Sequence, residues 1–217
     1  MRPSPLKHDP YNLIITGVGG QGNVLASRMV GDMLSLEGLE VTIGETFGAS
    51  QRGGSVMSHV RASTRESQSP QIPKGRAHMV ISLEPVEAVR VLRDYGNPAV
   101  KVIANMRPVH PIGVICGNQA YPNDGRITQW LDDLTEKAWL MNTTQEAARL
   151  GNPIYSNVIM VGALCATEEL PITREVFETV IRQRMPADKV DLNLEAFEIG
   201  RKLILPTTCE NQTSNEL

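Results

Sequence analysis

Residues 12–29, NLIITGVGGQGNVLASRM, decide the fold of this chain. The aliphatic run at residues 12–16 stops at a cluster of glycines, and apolar residues at helical spacing follow at once. Residues 17–22, GVGGQG, contain the pattern G-x-G-x-x-G between a strand and a helix, where a dinucleotide-binding turn requires it. Glycine permits a tight turn and a close approach to phosphate, and the helix N-terminus offers free N–H groups. The stretch therefore predicts a strand, a phosphate-binding turn and a helix.

The rest of the chain continues this alternation of strands and helices. Short β-branched runs alternate with segments of helical period, which is typical of a sheet covered by helices on both faces. Strands are expected at residues 12–16, 40–45, 55–63, 77–84, 99–105 and 138–143. From residue 152 onward the pattern is mostly helical. The sequence predicts an α/β, Rossmann-like fold with a mostly parallel sheet of about six strands and a helical C-terminal third.

Local signals refine this outline. Thr144 and Thr173 are expected to be helix N-caps, because each precedes a helical pattern. Residues 106–125 are rich in proline, glycine and asparagine, and we expect an irregular excursion with a short extended piece at residues 112–116, IGVIC. Residues 1–205 are expected to form one domain, and residues 206–217 to form a disordered tail.

Composition excludes several classes of function. The chain has 217 residues, 41% of them hydrophobic, and a formal net charge of −3, which does not favour binding to nucleic acid. Its cysteines, Cys116, Cys165 and Cys209, are far apart, so no zinc site, iron–sulfur site or disulfide framework is predicted. No signal peptide or membrane-spanning run is visible, which predicts a cytoplasmic protein without a membrane association.

A second glycine-rich stretch follows at residues 48–55, GASQRGGS. Arg52 beside Gly53 and Gly54 combines a guanidinium group with exposed backbone amides, which suits phosphate or carboxylate. The alternative is a flexible connection that carries a solvated arginine. Two glycine-rich loops at the carboxyl ends of strands that we expect to be adjacent favour the binding interpretation, because open α/β sheets bind ligands there.

Glu45 lies 23 residues after Gly22, near the position of the ribose-binding carboxylate in nicotinamide-binding domains. Two interpretations remain open for Glu45, a ligand contact and a plain surface carboxylate. No partner for hydride transfer is recognisable, and His59 is expected to lie on the face of a strand. No catalytic residue is therefore assigned.

Four motifs in order give the chain a resemblance to a known family. They are residues 17–22, GVGGQG; residues 44–61, GETFGASQRGGSVMSHVR; residues 151–164, GNPIYSNVIMVGAL; and residues 193–200, NLEAFEIG. In this combination the chain resembles the gamma-domain family of 2-oxoacid:ferredoxin oxidoreductases, and within it the beta subunits of the indolepyruvate enzymes. The resemblance agrees with the predicted fold and covers most of the chain.

The resemblance implies a function within a hetero-oligomeric complex. It implies oxidative decarboxylation of a 2-oxo acid, with electrons passed to ferredoxin and the acyl group passed to coenzyme A. It also implies that thiamine diphosphate, magnesium and iron–sulfur clusters belong to a large partner subunit, and that this chain helps with coenzyme A. The paired glycine loops motivate the hypothesis that they meet coenzyme A or the edge of the partner's cofactor at the subunit interface. The residues that fall on the family's motif positions are Gly17, Gly19, Gly20, Gln21, Gly22, Arg52, Gly53, Gly54 and Asn157.

Two alternatives to this function stay open at the level of the sequence. The chain could be a free-standing NAD-dependent reductase that uses residues 17–22 and Glu45. It could also be a purely structural partner whose glycine loops serve only for packing. The 2-oxo acid, the stoichiometry and the role of residues 106–125 are not indicated by any motif.

Overall fold

A computed structural model describes residues 5–48 and 54–205 and contains one six-stranded sheet. The strands are β1 (Tyr11–Val18), β2 (Glu40–Phe47), β3 (Ser55–Ser63), β4 (Met79–Ser82), β5 (Lys101–Asn105) and β6 (Lys137–Met141). Their order in the sheet is β2-β3-β1-β4-β5-β6. Only β3 runs against its neighbours, and the β1-β4, β4-β5 and β5-β6 pairs are parallel. The predicted mostly parallel α/β architecture is confirmed.

Helices cover both faces of this sheet. They are α1 (Asn23–Leu36), α2 (Pro85–Tyr95), α3 (Ile112–Ile115), α4 (Asp124–Leu134), α5 (Thr143–Arg149), α6 (Ser156–Ala166), α7 (Arg174–Arg184) and α8 (Ala187–Ile204). Leu13 and Ile15 of β1 face a core formed with α1, α6, α7 and α8. Ile14, between them, faces a second core formed with α2 and α4. Because side chains alternate along a strand, the two cores lie on opposite faces of the sheet.

The predicted helical C-terminal third is confirmed, and it packs closely. A Cβ atom on Gly162 would lie 2.0 Å from the carbonyl oxygen of Phe197, and one on Gly200 would lie 1.8 Å from that of Ile159. Larger residues at these two glycines would push α6 and α8 apart. The pair of helices closes the larger core over β1.

Two helix-cap predictions have different outcomes. The Thr173 hydroxyl accepts a hydrogen bond from the Val176 N–H at 3.3 Å, so this cap is confirmed. The predicted Thr144 cap is wrong, because the Asn142 side chain accepts from the Gln145 N–H at 3.0 Å and caps α5 two residues earlier than expected. The Thr144 hydroxyl is used elsewhere, as the acceptor of a 2.9 Å hydrogen bond from Asn105.

The extended piece expected at residues 112–116 is also wrong, since residues Ile112–Ile115 form the short helix α3. Pro111 precedes the helix in an extended conformation, and Gly117, with φ of 75°, follows it. The Cys116 N–H donates to the Ile112 carbonyl oxygen at 2.9 Å, which closes a single helical turn. A four-residue apolar run does not distinguish helix from strand, because one turn shows no period.

The two glycine-rich loops do not follow adjacent strands as expected, because β3 is inserted between β1 and β2. The loops nevertheless meet, since the antiparallel β3 begins at the edge where β1 ends. The Gly19 N–H donates to the Gly54 carbonyl oxygen at 2.8 Å. This contact joins the first loop to the described end of the second.

The chain leaves β1 and β4 in opposite directions. Strand β1 leads to α1 on one face of the sheet, and its neighbour β4 leads to α2 on the other face. Such a divergence opens a crevice at the carboxyl ends of the two strands, where open α/β sheets bind their ligands. The carboxyl edge near β1 and β4 is therefore the first place to look for a site.

Candidate functional site

The glycine turn at the end of β1 is held by α6. Gly22 has φ of 83°, a left-handed conformation that favours glycine, and it precedes α1. A Cβ atom on Gly22 would lie 2.3 Å from Nδ2 of Asn157, and that Nδ2 donates to the Gly22 carbonyl oxygen at 3.4 Å. Asn157 is almost fully buried. Gly22 and Asn157 thus fix the start of α1 against α6.

Gln21 fills the inside of the same turn. Its Oε1 accepts from the Val18 N–H at 2.7 Å, and its Nε2 donates to the Leu83 carbonyl oxygen at 2.8 Å. Leu83 follows β4, so this side chain connects the ends of β1 and β4. A Cβ atom on Gly17 would lie 2.7 Å from Oε1 of Gln21, which explains the need for glycine there. Gln21 and Gly17 build the turn, and the amide of Gln21 is already occupied.

Backbone N–H groups provide the remaining binding capacity of the turn. In the described parts of the chain, no side chain caps the N-terminus of α1. The first N–H groups of a helix have no partner within it, and they carry a partial positive charge. Gly20, with φ of 103°, has no atom within 4 Å of where its Cβ would lie, so the backbone is open to an incoming group. The turn has the geometry of an anion site.

A cleft of about 490 Å³ opens beside this turn. Its lining residues are Gly20, Gln21, Arg107, Pro108, Val109, Thr144, Asn152, Pro153, Ile154 and Ser156. Arg107, two residues after the end of β5, is exposed and has no ion pair among residues 5–48 and 54–205. The cleft therefore places a free guanidinium group and side-chain hydroxyl groups beside the glycine turn, a combination that suits a phosphate.

A second cleft, of about 310 Å³, lies on the other side of Val109, which lines both. Glu84 lines this second cleft and is 2% exposed. Its carboxylate accepts from the Tyr121 hydroxyl, from the Glu87 N–H at 2.9 Å and from the Val109 N–H at 3.4 Å. Burial raises the pKa of the Glu84 carboxyl above its usual range, although these hydrogen bonds oppose the shift. Glu84 fastens both ends of the excursion to the sheet.

The described end of the second loop is fastened to α2. The Ser55 hydroxyl donates to the Glu87 carboxylate at 2.6 Å, and Arg90 forms an ion pair with the same carboxylate at 3.2 Å. Gly54 is fixed by the Gly19 N–H. The described end of this loop therefore lies beside the second cleft.

The sequence-predicted site residues divide into three groups. The structure brings together Gly17, Gly19, Gly20, Gln21, Gly22, Gly54 and Asn157. Arg52 and Gly53 lie outside the described residues. Glu45 lies on β2, which β3 separates from β1, and it pairs with Arg28 at 3.6 Å. Glu45 is thus not beside the glycine turn as a ribose-binding carboxylate would be.

Three residues of these clefts were not identified from the sequence: Glu84, Arg107 and Tyr121. None belongs to a short motif, and Arg107 and Tyr121 lie in the segment whose role was not indicated. One signal was available, because Glu84 ends one predicted strand, Arg107 follows another, and the carboxyl ends of parallel strands share one edge. That edge also carries the exposed apolar side chains of Ile112 and Ile115, which are 79% and 73% exposed.

Two classes of site find no support in the described residues. Within residues 5–48 and 54–205, no group of His, Cys, Asp or Glu side chains is arranged to hold a metal ion. No helix in those ranges combines the length and the apolar character needed to cross a membrane.

Curated relatives and solved structures agree with the resemblance seen in the motifs. The chain is 36% identical over 193 residues to indolepyruvate oxidoreductase subunit IorB of Thermococcus kodakarensis, covering 88% of this chain and 95% of that protein. It is 25% identical over 193 residues to 2-oxoglutarate synthase subunit KorC of Methanothermobacter thermautotrophicus, covering 88% of this chain and 93% of that protein.

Among solved structures, the gamma subunit of a keto/oxoacid ferredoxin oxidoreductase from Geobacter sulfurreducens has a TM-score of 0.63 at 19% identity, covering 89% of this chain and 98% of that one. A 2-oxoglutarate:ferredoxin oxidoreductase from Magnetococcus marinus, solved with 2-oxoglutarate, coenzyme A and succinyl-CoA bound, has a TM-score of 0.70 at 19% identity. The match covers 91% of this chain and 31% of that longer chain. The family model of pyruvate ferredoxin/flavodoxin oxidoreductases matches residues 12–203, and the chain belongs to that family.

Proposed function

We propose that this chain is the non-thiamine subunit of an indolepyruvate-type 2-oxoacid:ferredoxin oxidoreductase, and that its 490 Å³ cleft contacts coenzyme A in the assembled complex. The observation that carries the proposal is the free guanidinium group of Arg107 beside the uncapped N-terminus of α1. The relatives named IorB support the assignment to an indolepyruvate-type enzyme.

The chemistry of coenzyme A suits such a cleft. Its diphosphate and 3′-phosphate groups need cations and N–H donors, and a helix N-terminus with an arginine supplies both. The hydroxyl groups of Thr144 and Ser156, which also line the cleft, add neutral donors. In this proposal Arg52, Gly53 and Gly54 extend the site from the second loop, and Gly17, Gly19, Gln21, Gly22 and Asn157 hold the turn in place.

A partner subunit would close the cleft. Val109 and Ile154 line the cleft and are partly exposed, and α3 in the same excursion exposes Ile112 and Ile115. Exposed apolar side chains of this kind are typical of protein contacts. We assign that contact to the large subunit that carries thiamine diphosphate, magnesium and the iron–sulfur clusters. The three cysteines of this chain are too few and too widely spaced to hold a cluster, which supports this division. Ferredoxin would then accept electrons from the complex in the cytoplasm.

Reconstitution tests the proposed function. We expect this chain to copurify with a large subunit that has thiamine diphosphate and iron–sulfur absorbance, and the pair to reduce ferredoxin with indolepyruvate in the presence of coenzyme A. Each subunit alone should be inactive, and pyruvate and 2-oxoglutarate should be poorer substrates. Activity of the isolated chain, or failure to bind any such subunit, would contradict the proposal.

A purely structural role is the second candidate, because Gln21 and Asn157 use their amide groups inside the fold. Hydrogen exchange distinguishes the two functions. If the loops bind ligand, coenzyme A added to the complex should slow exchange at the N–H groups of residues 20–25. If they serve only for packing, the partner subunit alone should produce all of the protection. The free-standing NAD reductase is not supported by the position of Glu45, and absence of NADH fluorescence changes on mixing would exclude it.

The extent of the domain is part of the same proposal. We infer that residues 1–205 form one domain in the complex, because both cores share the single sheet. Residues 206–217 lie outside the described residues, and their assignment as a disordered tail stays a prediction.

A further inference from the structure

The amino edge of the sheet, opposite the glycine turn, has a cleft of its own. This cleft, of about 380 Å³, lies where β1 begins. Its lining residues are His8, Asp9, Pro10, Asn12, Arg61, Pro73, Arg76 and His78. Among these residues Arg61 is the last residue of the second motif, and the proposed function uses none of them. Two guanidinium groups and one carboxylate line the cleft, so its fixed charge is positive.

Arg61 is a buried cation whose hydrogen-bond partners among the described residues are all neutral. It is 8% exposed. Its guanidinium donates to Oδ1 of Asn12 at 3.0 Å and to the Ser69 carbonyl oxygen at 2.9 Å, with longer contacts of 3.5 Å to the Gln71 carbonyl oxygen and to Oε1 of Gln68. No carboxylate among the described residues forms an ion pair with it, and burial lowers its pKa.

This arrangement leaves both charge and donor capacity unused. A guanidinium group has five N–H donors, and four acceptors are accounted for around Arg61. Burying a cation without an opposite charge costs free energy, and an anion at the cleft would offset that cost. A negatively charged ligand in the cleft would therefore stabilise the buried guanidinium group of Arg61.

Arg76 and His78, which precede β4 and accept hydrogen bonds from Asn12, add donors to the cleft. Arg76 is exposed and has no ion pair among the described residues, and its side chain lines the same cleft. The Nδ1 atom of His78 accepts from the Asn12 N–H at 2.9 Å, so the neutral ring carries its proton on Nε2. Burial, together with the charges of His8 and Arg76, lowers the pKa of His78 to about 4, and the ring is neutral at neutral pH. It then offers one N–H donor and adds no charge.

Asp9 is the only carboxylate of the lining, and it is engaged elsewhere. It accepts hydrogen bonds from the Thr64 hydroxyl and, at 3.3 Å, from the Thr64 N–H. No ion pair joins Asp9 to Arg61 or to Arg76 in the described parts of the chain. The two guanidinium groups are therefore not neutralised from within the cleft.

We propose that this amino-edge cleft binds a small oxyanion, a carboxylate or a phosphate, between the guanidinium groups of Arg61 and Arg76 with His78 as a third donor. The planar fork of Arg76 matches both kinds of oxyanion, and Arg61 adds its positive charge and its remaining N–H group. An oxyanion with two acceptor atoms is therefore favoured over chloride. The site is separate from the proposed coenzyme A cleft, because it lies at the opposite end of β1.

Nuclear magnetic resonance of the full ¹⁵N-labelled chain tests the proposal. The chain is titrated with inorganic phosphate and, separately, with acetate, while sodium chloride keeps the ionic strength constant. We expect saturable shifts at the Nε–H groups of Arg61 and Arg76 and at the Asn12 amide. The oxyanion with the higher affinity identifies the ligand class. Shifts that increase linearly without saturation for both anions would overturn the proposal.

Variants separate this site from the other one. Arg76→Gln changes an exposed side chain, so the fold should persist, and affinity at the amino edge should fall at least about fivefold, since a charge-assisted contact is lost. Arg182→Gln removes an equal charge from α7 and should change nothing. Arg107→Gln should leave the amino-edge shifts intact and remove only those near Gly20. Unchanged affinity in Arg76→Gln would refute the amino-edge site without affecting the coenzyme A proposal.

Discussion

The two walls of the 490 Å³ cleft are built in opposite ways. On one wall, the side chain of Gln21 points into the glycine turn and bonds to backbone groups of the fold. Asn157 of α6 holds the same turn from behind through the Gly22 carbonyl oxygen. On the other wall, the excursion keeps its packing to a few anchors at Glu84 and leaves Arg107 and Ile112 exposed. The residues of a recognisable motif therefore hold the site in shape, while a residue outside any motif is free to bind a ligand.

The physical reason lies in the backbone of the turn. A chain that leaves β1 and enters α1 within a few residues leaves N–H and carbonyl groups unpaired at a crevice, and buried polar groups need partners. Gln21 supplies partners for Val18 and Leu83, and Asn157 supplies one for Gly22. The side chains of the motif are thereby used up, so only the N–H groups of the backbone remain for a ligand. The side chains of the excursion are not needed to pair the backbone groups of such a turn.

Substitution of Gly22 should produce the largest loss of stability. Gly22→Ala places a Cβ at φ of 83° and 2.3 Å from Nδ2 of Asn157, so we expect a loss of about 4 kcal/mol in the free energy of unfolding. Gly117→Ala is the matched control in the excursion, because its φ is 75° and nothing lies within 4 Å. It should cost about 1 kcal/mol. Urea unfolding measures both, and equal losses would show that Asn157 does not fix the turn.

Removal of the Gln21 amide should have an intermediate effect. In Gln21→Leu the Val18 N–H loses its acceptor, whereas the Leu83 carbonyl oxygen keeps the Asn105 side chain as a donor at 3.0 Å. One unpaired buried donor predicts a loss of about 2 kcal/mol in the free energy of unfolding. Gln119→Leu, on the exposed excursion, should change stability by less than about 0.5 kcal/mol. A loss in Gln21→Leu no greater than in the control would contradict the inward role of the turn.

Much of the turn could be predicted from the sequence, and little of the excursion could. Residues 12–29 predict strand, turn and helix through local periodicity and glycine spacing, and these signals determine their own geometry. The insertion of β3 between β1 and β2 depends on long-range pairing, which leaves no local pattern. Glu45 lies away from the turn for this reason, so the structure gives no support to its interpretation as a ribose ligand. The helix α3 could not be predicted, because a single turn shows no period. Arg107 could not be identified either, because it reaches the cleft only through the long-range path of the chain.

Substitution of Glu84, which anchors the excursion, should have the smallest effect. The effect should appear as a change in how the free energy of unfolding depends on pH. Because burial raises the pKa of Glu84, the folded protein binds this proton more tightly than the unfolded chain does. The resulting stabilisation is complete below the ordinary carboxyl range and is lost as the pH rises through the raised folded value. Glu84→Gln should remove this component from the stability profile measured by urea unfolding between about pH 4 and about pH 7.

Glu66→Gln serves as the control for that profile, since it removes an exposed carboxylate from the loop after β3. Its profile should remain parallel to that of the unchanged protein. If Glu84→Gln is also parallel, the buried carboxylate does not titrate as described, and the anchor of the excursion lies elsewhere.

Titration of the assembled complex with coenzyme A measures whether the cleft beside Arg107 binds this ligand. Arg107→Gln should leave stability unchanged, because the side chain is exposed and unpaired in the described structure, and it should weaken coenzyme A binding about tenfold. Arg52→Ala should act in the same direction, whereas Arg182→Gln, on the distant α7, should bind as the unchanged protein does. Calorimetric affinities that are equal for all four proteins would contradict the account.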